Sequence, residues 1–360
     1  MAPNAKRAVA YVAAGAFSAA GVAFALSHEY SRRIRRRSAP TDPDLSMPDG
    51  VTDRVLPMRD GGETHLVETG EGPALVLLHG ANLSAQVWSY QLRDLSADHR
   101  VIALDLRGHG RSRAGSEDVS ISAMAGDIAE VLDALSLERA VVAGHSMGGM
   151  VSLRLARRYP ELLGKRIGAL ALVATSGGLG LPVPSWGRLA SAVSLVAGAG
   201  VGIWRPGEVL PTADAGYLAS RLGFGRHARP AEVAMTMRML RAMEPQVFGK
   251  LVGEVLGFEE SVHFGDLGVP VVVAVGTSDH LTPPLYARKM AASIEGASLT
   301  EYPGAGHMLM YERRRELDEL LALLSAEAQA QAPGSRSTLT APVDLASARV
   351  RTASRQRSRG

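Results

Sequence analysis

Residues 140–160 read AVVAGHSMGGMVSLRLARRYP, and the order of residue types in this stretch decides the fold. Ala140 to Ala143 form a short apolar run of strand character, Gly144-His145-Ser146-Met147-Gly148-Gly149 is a tight turn, and the residues from Met150 carry a helical pattern that stops before Pro160. A serine held between a strand and a helix in this way sits in a strained backbone conformation that projects its hydroxyl. Side chains two residues to either side would collide with neighbouring backbone, which accounts for Gly144 and Gly148. The helix that starts after Ser146 also aims its positive dipole end at the place where an oxyanion would develop. G-x-S-x-G alone is a short pattern of low specificity; the strand before it and the helix after it supply the meaning.

Working outward, apolar strand-like runs alternate with helical patterns. The runs are ALVLLHG at 74–80, VIALDLRG at 101–108, IGALALVATS at 167–176 and VPVVVAVG at 269–276. Between them lie segments such as 121–135, where Ile121, Met124, Ile128, Val131, Leu132 and Leu135 recur at three- and four-residue steps and mark one buried helix face. This alternation predicts parallel βαβ units. Upstream, DRVLPMRDGGETHLVETG at 53–70 predicts two strands around the turn Asp60-Gly61-Gly62. The alternation stops from Gly177 to Asp266, where helical patterns such as AEVAMTMRMLRAM replace strands. The expected organisation is therefore an α/β core over 51–176 and 267–325, with a helical cap, 177–266, inserted between two sheet strands.

An activated serine needs a base, and the base needs a carboxylate to orient it. With a strand–elbow–helix nucleophile the expected chain order is Ser, acid, His. Asp279 lies in GTSDHLTPP directly after the run VPVVVAVG, at the edge where parallel sheets gather functional loops. Only His280 and His307 follow it. His280 is its immediate neighbour and poorly placed to accept its bond, so His307, in the glycine-rich loop GAGHMLMYE, is the expected base. The oxyanion would take two backbone N–H groups, one from Met147 and one from the loop His79-Gly80-Ala81-Asn82, with Ala81 the first choice of donor and Asn82 the second.

HGANLSAQVW at 79–88, DLRGHGRS at 105–112, GHSMGG, GTSDHLTPP and GAGHMLMYE together resemble the α/β-hydrolase superfamily, in its capped branch of serine esterases, monoacylglycerol-type lipases and carbon–carbon bond hydrolases. The resemblance covers about residues 51–325. It implies an eight-stranded, mostly parallel sheet flanked by helices, with the cap inserted after the sixth strand. It also implies that Asp105, Arg107, Gly108, His109 and Gly110 shape a loop beside the active site without taking part in the chemistry. Ser at position 146, where the related haloalkane dehalogenase and soluble epoxide hydrolase branches have Asp, removes the carboxylate their ester intermediate requires. Ala81 is small, so no aromatic side chain at that position shapes the acyl site.

The chain has 360 residues, 46% of them hydrophobic and 21% charged, with no cysteine. That length supports one sizeable α/β domain with an insertion and tails, and the absence of cysteine excludes a disulfide framework and a thiolate nucleophile or ligand. Histidines at zinc-site spacing and nucleotide-binding motifs in a suitable context are both missing, so neither a metal nor a cofactor is expected. The net charge of +3 hides a split: residues 1–40 carry +6 and the last 35 carry +4, which leaves −7 for the rest. Basic tails on an acidic body read as solvated segments, not as a nucleic-acid reader, and the tail from 327 to 360 is expected to be disordered.

Residues 8–26, AVAYVAAGAFSAAGVAFAL, form a 19-residue run without a charge, long enough to cross a bilayer as a helix, although nine of the 19 are the weakly apolar Ala. Five arginines follow it between Arg32 and Arg37, against Lys6 and Arg7 before it. A membrane anchor is expected, with the catalytic domain on the cytoplasmic face. The alternative readings are a secretory signal peptide with Ala23-Phe24-Ala25 at its cleavage site, which makes the protein secreted, and a merely frayed tail.

The expected activity is hydrolysis of a hydrophobic or acyl carboxylic ester, with Ser146 as nucleophile, His307 as base and Asp279 as orienting acid. The same parts serve carbon–carbon bond or lactone hydrolysis and cofactor-free haloperoxidase-like chemistry. A non-catalytic, ligand-binding hydrolase-fold protein would be expected to have lost one of them. The apolar cap stretch 181–204 suits an acyl chain or ring, or packs on the sheet.

Overall fold

The computed structural model describes residues 44–178, 217, 220–226, 228–260 and 264–330. The candidate anchor at 8–26, the cap stretch 181–204 and the tail from 331 lie outside them. Among the described residues no helix is long and apolar enough to cross a membrane.

Eight strands form one sheet in the order β1-β2-β4-β3-β5-β6-β7-β8. β1 (Thr52–Pro57) and β2 (Glu63–Thr69) are the expected hairpin around Asp60–Gly62, and β2 pairs antiparallel with β4 (Arg100–Leu104). From β4 onward every pairing is parallel, through β3 (Ala74–Leu78), β5 (Ala140–His145), β6 (Ile167–Val173), β7 (Val271–Gly276) and β8 (Ser298–Tyr302). Every residue of β3, β5, β6 and β7 is buried, which is why these strands read as unbroken apolar runs: both faces of the sheet are covered.

Two cores result, and the period of two along each strand sorts residues between them. Val76, Leu78, Val142, Leu170, Leu172 and Val273 face α2 (Ile121–Ala134) and α3 (Met147–Arg158). Leu75, Leu77, Val141, Ala143, Ala171 and Val173 face α1 (Ser89–Asp94) and the last described helix, Arg314–Ala330. Between β6 and β7 the described residues contain α4 (Pro230–Ala242) and α5 (Pro245–Gly257), each opened by a proline at its first position, and no named strand. α5 is tied to the core: Glu254 accepts the Ile121 N–H at 2.8 Å and Lys250 pairs with Asp118 at 2.6 Å. After β7 come α6 (Pro284–Ser293), β8, the single turn α7 (Leu309–Glu312) and α8 (Arg314–Ala330).

Two boundaries differ from the sequence reading. The helix after His307 does not fray at 325 but continues to Ala330, so residues 327–330 are not part of a disordered tail. The cause is tertiary: Ala328 is fully buried and Arg139 Nε donates to its carbonyl at 2.7 Å. At the other end, the chain is already held down from Asp44, ahead of the core expected to begin at 51. Leu45 is buried, its carbonyl accepts from Gln86 Nε2 at 3.3 Å, and Arg93 donates to the carbonyls of Asp44 and Ser46.

Candidate active site

The elbow follows from crowding. Ser146 lies at φ 52°, ψ −118°, a region a non-glycine residue occupies only at a cost of about 1–3 kcal/mol. The surroundings hold it there, since its N–H donates to Val173 O at 2.9 Å and its carbonyl accepts from Thr175 Oγ1 at 2.6 Å. A Cβ on Gly144 would stand 2.3 Å from Gly148 O, and one on Gly148 would stand 2.5 Å from Leu78 O. Gly149 is under the same constraint, because its Cβ would meet Thr175 Cγ2 at 2.5 Å. The turn therefore admits only glycine at three places, and α3 begins directly at Met147 with its first N–H groups free of helical partners.

Asp279 follows β7 and His307 follows β8, neighbouring parallel strands, so both loops emerge at the same sheet edge as Ser146 at the end of β5. His307 Nδ1 and Asp279 Oδ2 are 2.9 Å apart, with side chains 7% and 0% exposed. The carboxylate is fixed from every side. Oδ1 accepts the N–H groups of Leu281 and Thr282 at 2.8 and 2.9 Å, and Oδ2 accepts Thr282 Oγ1 at 2.8 Å. Burial pushes the Asp279 carboxyl up, but His307 beside it and the bonds from Thr282 outweigh that and hold it below its ordinary value. An ionised Asp279 accepts the Nδ1 proton and leaves the Nε2 lone pair for other work. Among the described residues, neither His307 Nε2 nor the Ser146 hydroxyl forms a hydrogen bond, to each other or elsewhere. Such contacts commonly tighten only when a substrate is engaged.

The loop expected to supply an oxyanion donor lies against the elbow, since a Cβ on Gly80 would stand 3.0 Å from Ser146 Cβ. The structure separates the two donor candidates. Asn82 is left-handed at φ 60° and its N–H is directed at His109 Nε2, 3.3 Å away. That histidine has a defined tautomer, because Nδ1 donates to Arg107 O at 3.0 Å, and burial together with neighbouring His79 pulls it down to about 3, so it stays neutral. Asn82 is thus engaged, whereas no hydrogen bond engages the Ala81 N–H among the described residues. In the 105–112 loop, Arg107 spans Asp127 and Asp60 in ion pairs at 2.6 Å each.

Two contributors to the site escaped the sequence reading. Thr282 bonds Asp279 and lies 3.2 Å from His307 Nδ1; the Asp-x-x-Thr spacing in a loop is a side-chain-capped turn and could have been noticed. His145, the variable residue of the elbow, donates from Nε2 to the His307 carbonyl at 3.0 Å, with the two rings 4.7 Å apart. Burial and the nearby His307 hold it far below the usual histidine range, so it is a neutral brace between elbow and base loop. No local signal predicts a contact across 162 residues.

A cavity of about 460 Å³ lies between α4 and the loops at 83–86 and 108–110. Met235, Met239 and Met243 form its apolar wall, with Arg238 and Glu244 also lining it, and Ser146 is not in its wall. Among the described residues no cluster of three or more His, Asp or Glu side chains is arranged to hold a metal ion.

Comparison with known proteins agrees with this architecture. Epoxide hydrolase 4 of Mus musculus is 37% identical over 139 residues, which are 37% of this chain and 39% of that protein. Among solved structures, the esterase RhEst1 from Rhodococcus sp. ECU1013 matches with a TM-score of 0.61 at 25% identity, covering 77% of this chain and 98% of that one. The enol-lactonase from Burkholderia xenovorans LB400 matches with a TM-score of 0.59 at 26% identity, covering 76% and 100%. The sequence model of the alpha/beta hydrolase fold matches residues 73–314, a span that holds the elbow, Asp279 and His307, and the chain belongs to that family.

Proposed function

We propose that this chain is a serine hydrolase that cleaves carboxylic esters of hydrophobic or acyl substrates. The observation that carries the reading is the buried Asp279–His307 pair, 2.9 Å apart, at the sheet edge where the strained elbow presents Ser146. In this reading Ser146 Oγ attacks the ester carbonyl while His307 Nε2 takes its proton, and Asp279 stabilises the imidazolium that forms. The N–H groups of Met147 and Ala81 hold the tetrahedral oxyanion, which collapses with loss of the alcohol as His307 returns the proton to it. Water then enters through the same base and releases the acid. Serine at the nucleophile position supports an acyl-enzyme over the carboxylate ester of aspartate-dependent hydrolases, despite the local identity to an epoxide hydrolase. The methionine wall of the neighbouring cavity supports an apolar substrate portion.

The test is hydrolysis of p-nitrophenyl esters from acetyl to palmitoyl by the full chain, beside Ser146→Ala. Turnover that peaks at medium or long chains and vanishes in the variant is the expected result; turnover unchanged in the variant overturns the assignment. A second reading, lactone opening, is favoured by the likeness to the enol-lactonase. It predicts fluorophosphonate labelling of Ser146 together with negligible activity on every linear ester.

A further inference from the structure

Glu312 belongs to no step of the proposed chemistry, yet it joins the loop that carries His307 to a segment of the inserted region between β6 and β7. Its Oε1 accepts the Gly306 N–H at 2.9 Å and its Oε2 accepts the Gly225 N–H at 2.7 Å. The two backbones it joins interlock directly. His307 N–H donates to Gly223 O at 2.8 Å and Arg226 N–H donates to Gly304 O at 3.2 Å. The approach is so close that a Cβ on Gly225 would stand 2.2 Å from Gly304 O, and one on Gly306 would stand 2.4 Å from Gly225 N. Phe224 stacks on Tyr311, the residue before Glu312, with rings 2° from parallel and 6.2 Å apart. The carboxylate is mostly enclosed, so replacing its two charge-assisted bonds by water would open the junction.

We infer that Glu312 is a positioning residue for His307, a two-armed clasp that fixes the base loop to the 223–225 strap and so transmits the seating of the cap to the base. This rests on the reading of His307 as the general base. The physical reason is reach. The His307 ring is oriented at Nδ1 by Asp279 and Thr282, while its main chain is set by three outside contacts among the described residues, from His145, Gly223 and, through Gly306, Glu312. Glu312 alone among these spans both sides of the junction. A displacement of about 1 Å at a catalytic group can cost on the order of 100-fold in rate.

The experiment compares Glu312→Gln and Glu312→Ala with Arg139→Ala in the full chain. Arg139→Ala removes the tether of α8 at Ala328 and so lowers stability away from the site. Three quantities are read: kcat and KM for p-nitrophenyl butyrate, the rate of fluorophosphonate labelling, and backbone hydrogen exchange of segments 220–226 and 303–309. Glu312→Ala is expected to lose about 100-fold in kcat and in labelling rate, with KM changed by no more than about threefold. Glu312→Gln keeps one acceptor and is expected to lose about tenfold. Exchange in both segments should speed up together in the Glu312 variants and not in Arg139→Ala. Full kcat and labelling in Glu312→Ala, or losses no larger than those of Arg139→Ala at the same fall in Tm, overturn the inference. If Ser146→Ala retains turnover or the wild type resists labelling, the hydrolase reading itself has failed and the positioning role falls with it; the exchange data then still report whether the clasp exists.

Discussion

Two aspartates at the carboxyl ends of parallel strands each meet a histidine Nδ1, and among the described residues only one of the two pairs leaves the far ring nitrogen without a protein partner. Asp279, after β7, lies 2.9 Å from His307; Asp105, after β4, lies 2.8 Å from His65. Both carboxylates are buried and both accept two backbone N–H groups, Leu281 and Thr282 in one case and Ala85 and Arg111 in the other. The difference is at the far nitrogen. His65 Nε2 is met by Asp53 and by Arg111, each at 3.1 Å, so the ring is committed on both sides. His307 Nε2 has no protein hydrogen bond among the described residues, and its loop leaves the same sheet edge as Ser146. An Asp–His pair is thus a structural strut when both ring nitrogens are spent and a candidate base when one is left open.

The sharpest way to break this contrast is to remove the open end of the pair proposed to be catalytic. Ser146→Ala and His307→Ala are each expected to cut ester turnover by at least ~10⁴-fold, whereas His65→Gln should leave kcat per folded molecule within a decade of wild type. Rates are normalised to the folded fraction of each variant, measured by circular dichroism. The next largest effect separates the acids. Asp279→Asn should lose about 10⁴-fold in kcat because the imidazole is offered the wrong tautomer. Asp105→Asn should instead lose about 3 kcal/mol of stability, because a buried charge partner is removed, with kcat retained. Equal kinetic damage in the two variants would erase the distinction.

A smaller effect is a matter of pH. Burial pulls His65 down, but Asp105 and Asp53 outweigh it and hold the imidazole above its ordinary value. A raised folded value means that the native state binds the proton more tightly than the unfolded chain. The stabilisation is therefore complete below the unfolded value of about 6.5 and drains away as pH rises through the folded one. Thermal melts should show the gap between wild type and His65→Gln widest near pH 5–6 and narrowing toward pH 9; a gap that widens with pH contradicts the assignment. The smallest expected effect lies far from both pairs, where Arg139→Ala should cost about 1 kcal/mol of stability with no change in kcat.

The sequence made the elbow legible because its constraints are local: three glycines, one strained serine and a strand-to-helix switch lie within ten residues. Asp279 and His307 were legible for a related reason, each sitting in a loop just after a short apolar run. The supporting parts were not. His145 braces His307 across 162 residues, Glu312 reaches Gly225 across 87, and Asp105 reaches His65 across 40. Nothing in the period of a strand or helix records which distant backbone N–H or ring nitrogen will be adjacent. The two boundary errors, at Asp44 and at Ala330, have the same origin, since polar or alanine-rich chain ends were held in place by Arg93 and Arg139.

What the sequence determined by itself is therefore what short-range sterics and hydrophobic periodicity encode: parallel βαβ order, a glycine-only elbow, and the serine, acid and histidine in turn along the chain. Tertiary structure alone decided which histidine nitrogen stays unpartnered among the described residues, that the Asn82 N–H is spent on His109, and that Glu312 bonds both Gly306 and Gly225. Each of those outcomes depends on hydrogen-bond partners brought together only when the sheet and its loops close around them, and hydrogen bonds are decided by position to within a few tenths of an ångström.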